Sequence, residues 1–261
     1  MPYKNLPDIQ SLPDDRNIPL DRAGVKGIRW PITILDRKNG KQTTVATINM
    51  YVNLPHNFRG THLSRFVEIL NEYRDCEWID RTGEILRTIR ESLNADEAHM
   101  EIEFPYFIEK TAPVSKQPSL MSYTCRFLAS YQNGEDIVLG VSVPVITLCP
   151  CSKEMSDYGA HNQRCVVTVN VRYDDFVWIE ELIDLIESSA SGGLYSILKR
   201  PDEKYVTEHA YDNPMFVEDI VREVACKLDD MGRITWYVVE ADSQESIHNH
   251  NAYARVEKKK E

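Results

Sequence analysis

The sequence predicts an α+β chain in which a two-strand, two-helix, two-strand unit (ββααββ) is repeated twice. Three observations carry this. Apolar and polar residues alternate in runs interrupted by Asn39-Gly40 and Asn133-Gly134, a dipeptide suited to tight hairpin turns. Between the hairpins lie paired stretches with helical periodicity. The order strand, strand, helix, helix, strand, strand then recurs, with no sequence repeat beside it.

The elements follow in order. Residues 25–37 and 43–53 alternate around Asn39-Gly40 as a β-hairpin. Residues 62–73 place Leu63, Phe66, Val67 and Leu70 on one helical face, and residues 83–93 do the same with Ile85, Leu86, Ile89 and Leu93. Strands are expected over 99–108, 121–131 and 137–148, the last two joined at Asn133-Gly134. A further strand covers 165–173 and a helix 179–189. Asn213-Pro214 is expected to open another helix running to about residue 230, with Asn213 as N-cap and Pro214 at the first helical position. Gly232 would end it, and residues 234–241 and 252–257 close the chain as strands. Residues 1–24, polar and containing Pro2, Pro7, Pro13 and Pro19, read as a mobile arm. Residues 25–133 make the first unit and 134–261 the second. Each unit is expected to be an antiparallel sheet with helices on one face. Open sheet edges favour association, so a homo-oligomer closed into a barrel is expected.

Composition limits the function. The 261 residues carry 42% hydrophobic and 27% charged residues, enough for a sizeable core. The formal charge of −11 repels nucleic acid and anionic lipid, and neither is expected as a partner. An anionic small molecule needs a local basic pocket. No apolar run approaches bilayer-spanning length, and the first residues lack the apolar core of a signal peptide. The six cysteines (76, 125, 149, 151, 165 and 226) form no disulfide framework. A reducing cytoplasm is expected.

Four segments could carry chemistry. Cys149-Pro150-Cys151, with His161 twelve residues after Cys149, offers two thiols and an imidazole to a borderline-soft divalent metal. The same spacing suits two small buried residues around a proline turn and a surface histidine, and spacing alone does not choose. His248-Asn249-His250 would point both rings one way if extended and supplies acid/base groups near neutral pH, or it is a polar turn. Glu203, read as lying in a polar connection, and Glu218, read as lying in the first turns of a helix, are not singled out by spacing. Acidic residues are favoured at helix N-termini in any case. Gly60-Thr61, leading into a helix between Arg59 and Arg65, suits phosphate binding or simple N-capping by Thr61, which is preferred on local grounds.

Taken together, Leu148-Cys149-Pro150-Cys151-Ser152-Lys153, Gly60-Thr61-His62-Leu63-Ser64-Arg65 and Ser246-Ile247-His248-Asn249-His250 resemble the prokaryotic type IB GTP cyclohydrolase I family. The resemblance covers nearly the whole chain after the arm. Its one departure is Leu63 in place of the more usual Met, a swap that nearly conserves volume. It implies two fused tunnelling-fold units, with barrels formed on assembly into a homotetramer. It implies hydrolysis of GTP to 7,8-dihydroneopterin triphosphate with release of formate, the first step towards folate. It further implies Zn²⁺ or Mn²⁺ held by Cys149, His161 and Glu203, guanine anchored by Glu218, His248 as acid/base, and Cys151 in the site. Lys153, Arg164, Lys199, Arg200 and Lys204 lie near these residues in sequence and are candidates for the triphosphate. Two alternatives remain open. One is a tunnelling-fold nitrile reductase acting on a deazapurine, with a cysteine nucleophile and NADPH, although no dinucleotide fingerprint occurs. The other is a non-catalytic metal- or purine-binding module.

Overall fold

Hydrophobic alternation becomes two sets of antiparallel strands in the computed structural model, which describes residues 7–74 and 78–260. Cys76 and the first six residues of the expected arm lie outside the described residues. The chain divides into two compact units: Met1–Phe104 with Arg126–Val138, and Pro105–Cys125 with Leu139–Glu261. The Asn133-Gly134 turn therefore belongs to the first unit, and each division falls inside a long strand.

The first unit contains β1 (Leu20–Asp36), β2 (Gly40–Leu54), α1 (Leu63–Glu72) and α2 (Trp78–Ser92). Parts of β3 (Ala98–Thr111), β4 (Pro118–Tyr131) and β5 (Glu135–Leu148) complete it. In β2, Ala46, Ile48 and Met50 are fully buried while the residues between them are not, the period-two pattern read from the sequence. Asp36 pairs with Gly40 across the first turn, and Gly40 adopts φ +79°, where glycine carries no steric penalty. Gly24 is required for a different reason, since a Cβ there would meet the Met50 carbonyl oxygen at 2.0 Å. Phe66, Ile69 and Leu70 of α1 and Ile85, Leu86 and Ile89 of α2 are buried.

The expected arm is corrected on two counts. β1 starts at Leu20, five residues early, because Leu20 to Val25 continue the pairing with β2. Upstream of it, the N–H groups of Arg59 and Gly60 donate to the carbonyls of Leu12 and Gln10 at 2.9 and 3.1 Å, which ties residues 10–12 to the loop before α1. Thr61 is not the N-cap of α1. His62 holds that position without a side-chain cap, and the Thr61 hydroxyl is buried with no partner among the described residues.

The second unit carries α3 (Pro150–Met155), β6 (Asn162–Tyr173), α4 (Ile179–Glu187), β7 (Gly192–Gly193), α5 (Arg200–Asp212), α6 (Val217–Asp230), β8 (Ile234–Ser243) and β9 (Ala252–Lys259). Its strand order is β5-β6-β8-β9, with the short β7 pairing β5. Val143 lies opposite Val167, and Val167 opposite Ala241, all fully buried. Ile179, Leu182, Ile183 and Ile186 of α4 and Val217, Ile220, Val221, Val224 and Leu228 of α6 are buried with this valine ladder. Each fully buried aliphatic side chain contributes about 1.5–3 kcal/mol, so this core holds the strand ends that carry the site.

Three local expectations change. Residues 200–212 form α5 and are not a polar connection. Pro201 and the Asp202 carboxylate, which accepts the Lys199 N–H at 2.8 Å, start the helix, while its weak apolar periodicity hid it. Asn213 caps the C-terminus of α5 and does not open α6, which begins at Val217 with the Phe216 N–H donating to Asp219 at 3.1 Å. The connection after β5 contains α3, with Pro150 at its first turn.

Candidate active site

The site is assembled where β5 and β6 separate. Their last pair is Leu148 with Asn162, so the chain leaves at Cys149 and returns at His161. Hydrogen bonds close this excursion. The Cys149 N–H donates to the His161 carbonyl at 3.2 Å. The Ser152 hydroxyl donates to the Cys149 carbonyl at 3.1 Å and accepts the His161 N–H at 3.2 Å. The Cys149 sulfur accepts the Ser152 N–H at 3.4 Å, as the N-cap of α3. Two residues twelve apart are thereby fixed side by side.

They open onto a cavity of about 440 Å³. Glu218, in the first turn of α6, lines it, as do His248 and His250 from the loop between β8 and β9 and Glu245 from the start of that loop. The two histidines do not lie on an extended strand. Their rings stack at 5.2 Å within bends of the loop. The cavity therefore brings together Cys149, His161, Glu218 and His248.

It does not gather the other two expected residues. Cys151 is exposed on α3. Glu203 is exposed on α5 and does not line the cavity. Its neighbour Asp202 is the buried acid, accepting hydrogen bonds from the Ser115 hydroxyl and from the N–H groups of Val114, Ser115 and Lys199. Burial pushes the Asp202 carboxyl up, but these bonds outweigh it and hold the group well below the usual carboxylate range. Among the described residues, no three His, Cys, Asp or Glu are gathered closely enough to hold a metal ion. Nor does any lysine or arginine line the cavity. Lys153 donates to the Tyr211 carbonyl at 2.5 Å and sits 4.4 Å from the centre of its ring.

Two donors do suit a metal. Cys149 presents a half-buried sulfur. His161 is hydrogen-bonded through Nδ1 to Gln163 Oε1 at 2.9 Å, which leaves the other ring nitrogen for a ligand, as is usual for metal-binding histidines. The remaining thiols differ among themselves. Burial pushes Cys125 well up, and pushes Cys165 up to about 12, with Asp242 adding to the second shift. These two are core residues, whereas Cys226 is exposed.

Gln163, Ser243, Glu245 and Thr147 were missed as site residues. The available signal was the period of two: Gln163 is two residues from His161, and Glu245 is two from Ser243, so each pair shares a face if the chain runs extended.

Known proteins resemble this chain in sequence and in fold. A family model described as "Type I GTP cyclohydrolase folE2" matches residues 6–254. The chain is 58% identical over 257 residues to a protein named GTP cyclohydrolase FolE2 from Geobacter sp. (strain M21), covering 98% of this chain and 96% of that one. It is 59% identical over 252 residues to the protein of that name from Syntrophus aciditrophicus (strain SB), covering 96% and 99%. In solved structures it is similar to a uricase from Bacillus fastidious (TM-score 0.54, 8% identity, 91% of this chain and 93% of that one) and to a mutant urate oxidase of Bacillus sp. TB-90 (TM-score 0.54, 7% identity, 92% and 99%). At these identities the likeness concerns the fold alone, the α+β tunnelling fold.

Proposed function

The chain belongs to the type I GTP cyclohydrolase FolE2 family, and from that premise we propose how its cavity performs the reaction. The protein is a GTP cyclohydrolase I, converting GTP to 7,8-dihydroneopterin triphosphate and formate, the first step towards folate. The nitrile-reductase and non-catalytic readings give way to this assignment. The finer type IB label rests on the Leu148–Lys153, Gly60–Arg65 and Ser246–His250 motifs taken together.

The observation that carries the site is the meeting of Cys149 and His161 with Glu218 and His248 in one cavity. Guanine presents N1–H and its 2-amino group side by side, and the Glu218 carboxylate accepts both. This orients C8 towards Cys149 and His161. Those two residues would hold a divalent metal, Zn²⁺ or Mn²⁺, and their sulfur and nitrogen donors suit either. Glu203, which does not line the cavity here, would join them as third ligand on the strength of the family resemblance alone, and Cys151 would be a site residue on the same ground. When bound, the metal lowers the pKa of water and so supplies a nucleophile near neutral pH. His248 moves protons as the imidazole ring of guanine opens and formate leaves, and the stacked His250 fixes its ring plane.

Among the described residues no lysine or arginine lines the cavity to meet the triphosphate, which supports a site completed in a homo-oligomer, a tetramer by family resemblance. Among the described residues no helix is long and apolar enough to cross a membrane. We place the enzyme in the cytoplasm. The test is formate release from GTP, together with fluorescent pterin after oxidation of the product. Chelation is expected to abolish both without unfolding the chain, and added Mn²⁺ or Zn²⁺ to restore them. Full activity in chelator-treated, metal-free protein would overturn the metal role.

A further inference from the structure

We infer that Glu245 and Gln163 are positioning residues that set the tautomer of His161 and aim its Nε2 lone pair at the metal position. The inference rests on the proposed ligand role of His161. Gln163 Oε1 lies 2.9 Å from His161 Nδ1, and Gln163 Nε2 donates to Glu245 Oε1 at 3.2 Å. A carboxylate only accepts hydrogen bonds, whereas an amide donates only through its nitrogen. Glu245 therefore dictates which way the Gln163 amide faces. With Nε2 turned to Glu245, the oxygen faces His161. That oxygen only accepts, so the proton of the neutral ring sits on Nδ1 and the lone pair on Nε2.

The far end of the relay is held rigidly. The Ser243 hydroxyl donates to Glu245 Oε1 at 3.2 Å and so gives up its one proton. Its oxygen is 3.2 Å from the Thr147 hydroxyl, whose one proton also faces the Gln163 carbonyl at 3.4 Å. Thr147 and Ser243 are 1% and 0% exposed. Thr147 is opposite Gln163 and Ser243 opposite Cys165 in the sheet, and the Gln244 N–H donates to the Arg164 carbonyl at 2.9 Å. The Ser246 hydroxyl, 3.3 Å from His161 Nδ1 and 3.5 Å from Gln163 Oε1, lies beside the same acceptor. The amide orientation set by Glu245 thus turns Gln163 Oε1 to His161 Nδ1, and His161 Nε2 is left over.

The test uses full-length protein with ¹⁵N-labelled histidine, and His161→Ala assigns the signals. Two-bond ¹H–¹⁵N spectra of the metal-free protein distinguish the two neutral tautomers. His161 is expected to carry its proton on Nδ1. Gln163→Leu is expected to lose that preference and to bind Zn²⁺ or Mn²⁺ about 10–100-fold more weakly in chelator competition. The double variant Gln163→Glu with Glu245→Gln exchanges the amide and the carboxylate. It keeps an acceptor facing Nδ1 and a donor at position 245, so both the tautomer and metal binding should return towards the parent values. A merely structural role predicts no such rescue. Should Gln163→Leu not fold, the double variant, nearly isosteric at both positions, still decides by its own spectrum. The relay is overturned if Gln163→Leu keeps the Nδ1 proton and the parent metal affinity, or if the folded double variant lacks the Nδ1 tautomer. If the parent binds neither metal, the ligand reading of the site fails, while the metal-free spectra still decide what orients the ring.

Discussion

Each unit pairs two antiparallel strands in succession, β1 with β2 and β5 with β6, yet the connections within these pairs differ sharply. In the first unit β1 passes to β2 through residues 37–39. There Asp36 accepts the N–H groups of Lys38 and Asn39 at 2.9 and 2.7 Å and the Gln42 side-chain amide at 3.0 Å, closing the turn on itself. In the second unit β5 passes to β6 through residues 149–161, and the added length places a thiol and an imidazole at the mouth of a cavity. The tight turn meets the backbone's hydrogen-bonding needs and leaves nothing for a ligand. The long connection uses Ser152 for closure and keeps Cys149 and one nitrogen of His161 available. Chemistry here follows the length of a connection, on a frame that does not require it.

The strongest way to break the comparison is Cys149→Ala. With the second unit as the seat of catalysis, formate release is expected to fall by about 10³-fold or more, roughly 4 kcal/mol of barrier, with the unfolding midpoint close to the parent's. Activity within tenfold of the parent would remove the long connection from the chemistry.

Sharper resolution comes from pairing Glu218→Ala with His248→Ala. Loss of the carboxylate leaves two guanine donors unpaired, at a cost of about 2–5 kcal/mol, so GTP affinity by calorimetry and turnover should fall together. Loss of the imidazole should leave GTP affinity and metal content in place and slow turnover by about 10²–10⁴-fold. Unchanged GTP binding in Glu218→Ala, or parent turnover in His248→Ala, contradicts the assigned role.

The converse experiment is Asp36→Ala in the tight turn. It should destabilise the chain by about 1–3 kcal/mol in denaturant titration and leave turnover per folded molecule unchanged. A selective loss of activity would mean that the two connections are not so different after all.

The smallest effect is its pH dependence. Burial pushes the Asp36 carboxyl up, but hydrogen bonds from Asn39, Lys38 and Gln42 outweigh it and lower it overall. A depressed carboxyl stabilises the fold fully above its unfolded value of about 4 and loses that contribution as pH falls through its folded value. The stability gap between parent and Asp36→Ala should therefore be constant from neutral pH down to about pH 5 and shrink below pH 4. A gap independent of pH down to 2 would assign the effect to packing.

The sequence by itself determined the strands, the two amphipathic helix pairs and their order, because period-two and period-3.6 burial are written into the spacing of Val, Ile and Leu. It also placed Glu218 in the first turns of a helix, although that helix opens at Val217 and not at Pro214, and, through a family resemblance, indicated which reaction to expect. Helix α5 was not legible, since its sequence has little apolar periodicity and its start depends on Asp202 being buried against Val114 and Ser115, far away in the chain. Glu203 shows the same limit. Its residue type fits a ligand, but the turn of α5 on which it sits decides that Asp202 faces inward and Glu203 outward. Only the tertiary structure could bring Glu245 to Gln163, 82 positions apart. Sequence periodicity reports which face a side chain takes on its own element, whereas a hydrogen bond between elements depends on how β6 and β8 register, a property of the packed sheet that no local spacing encodes.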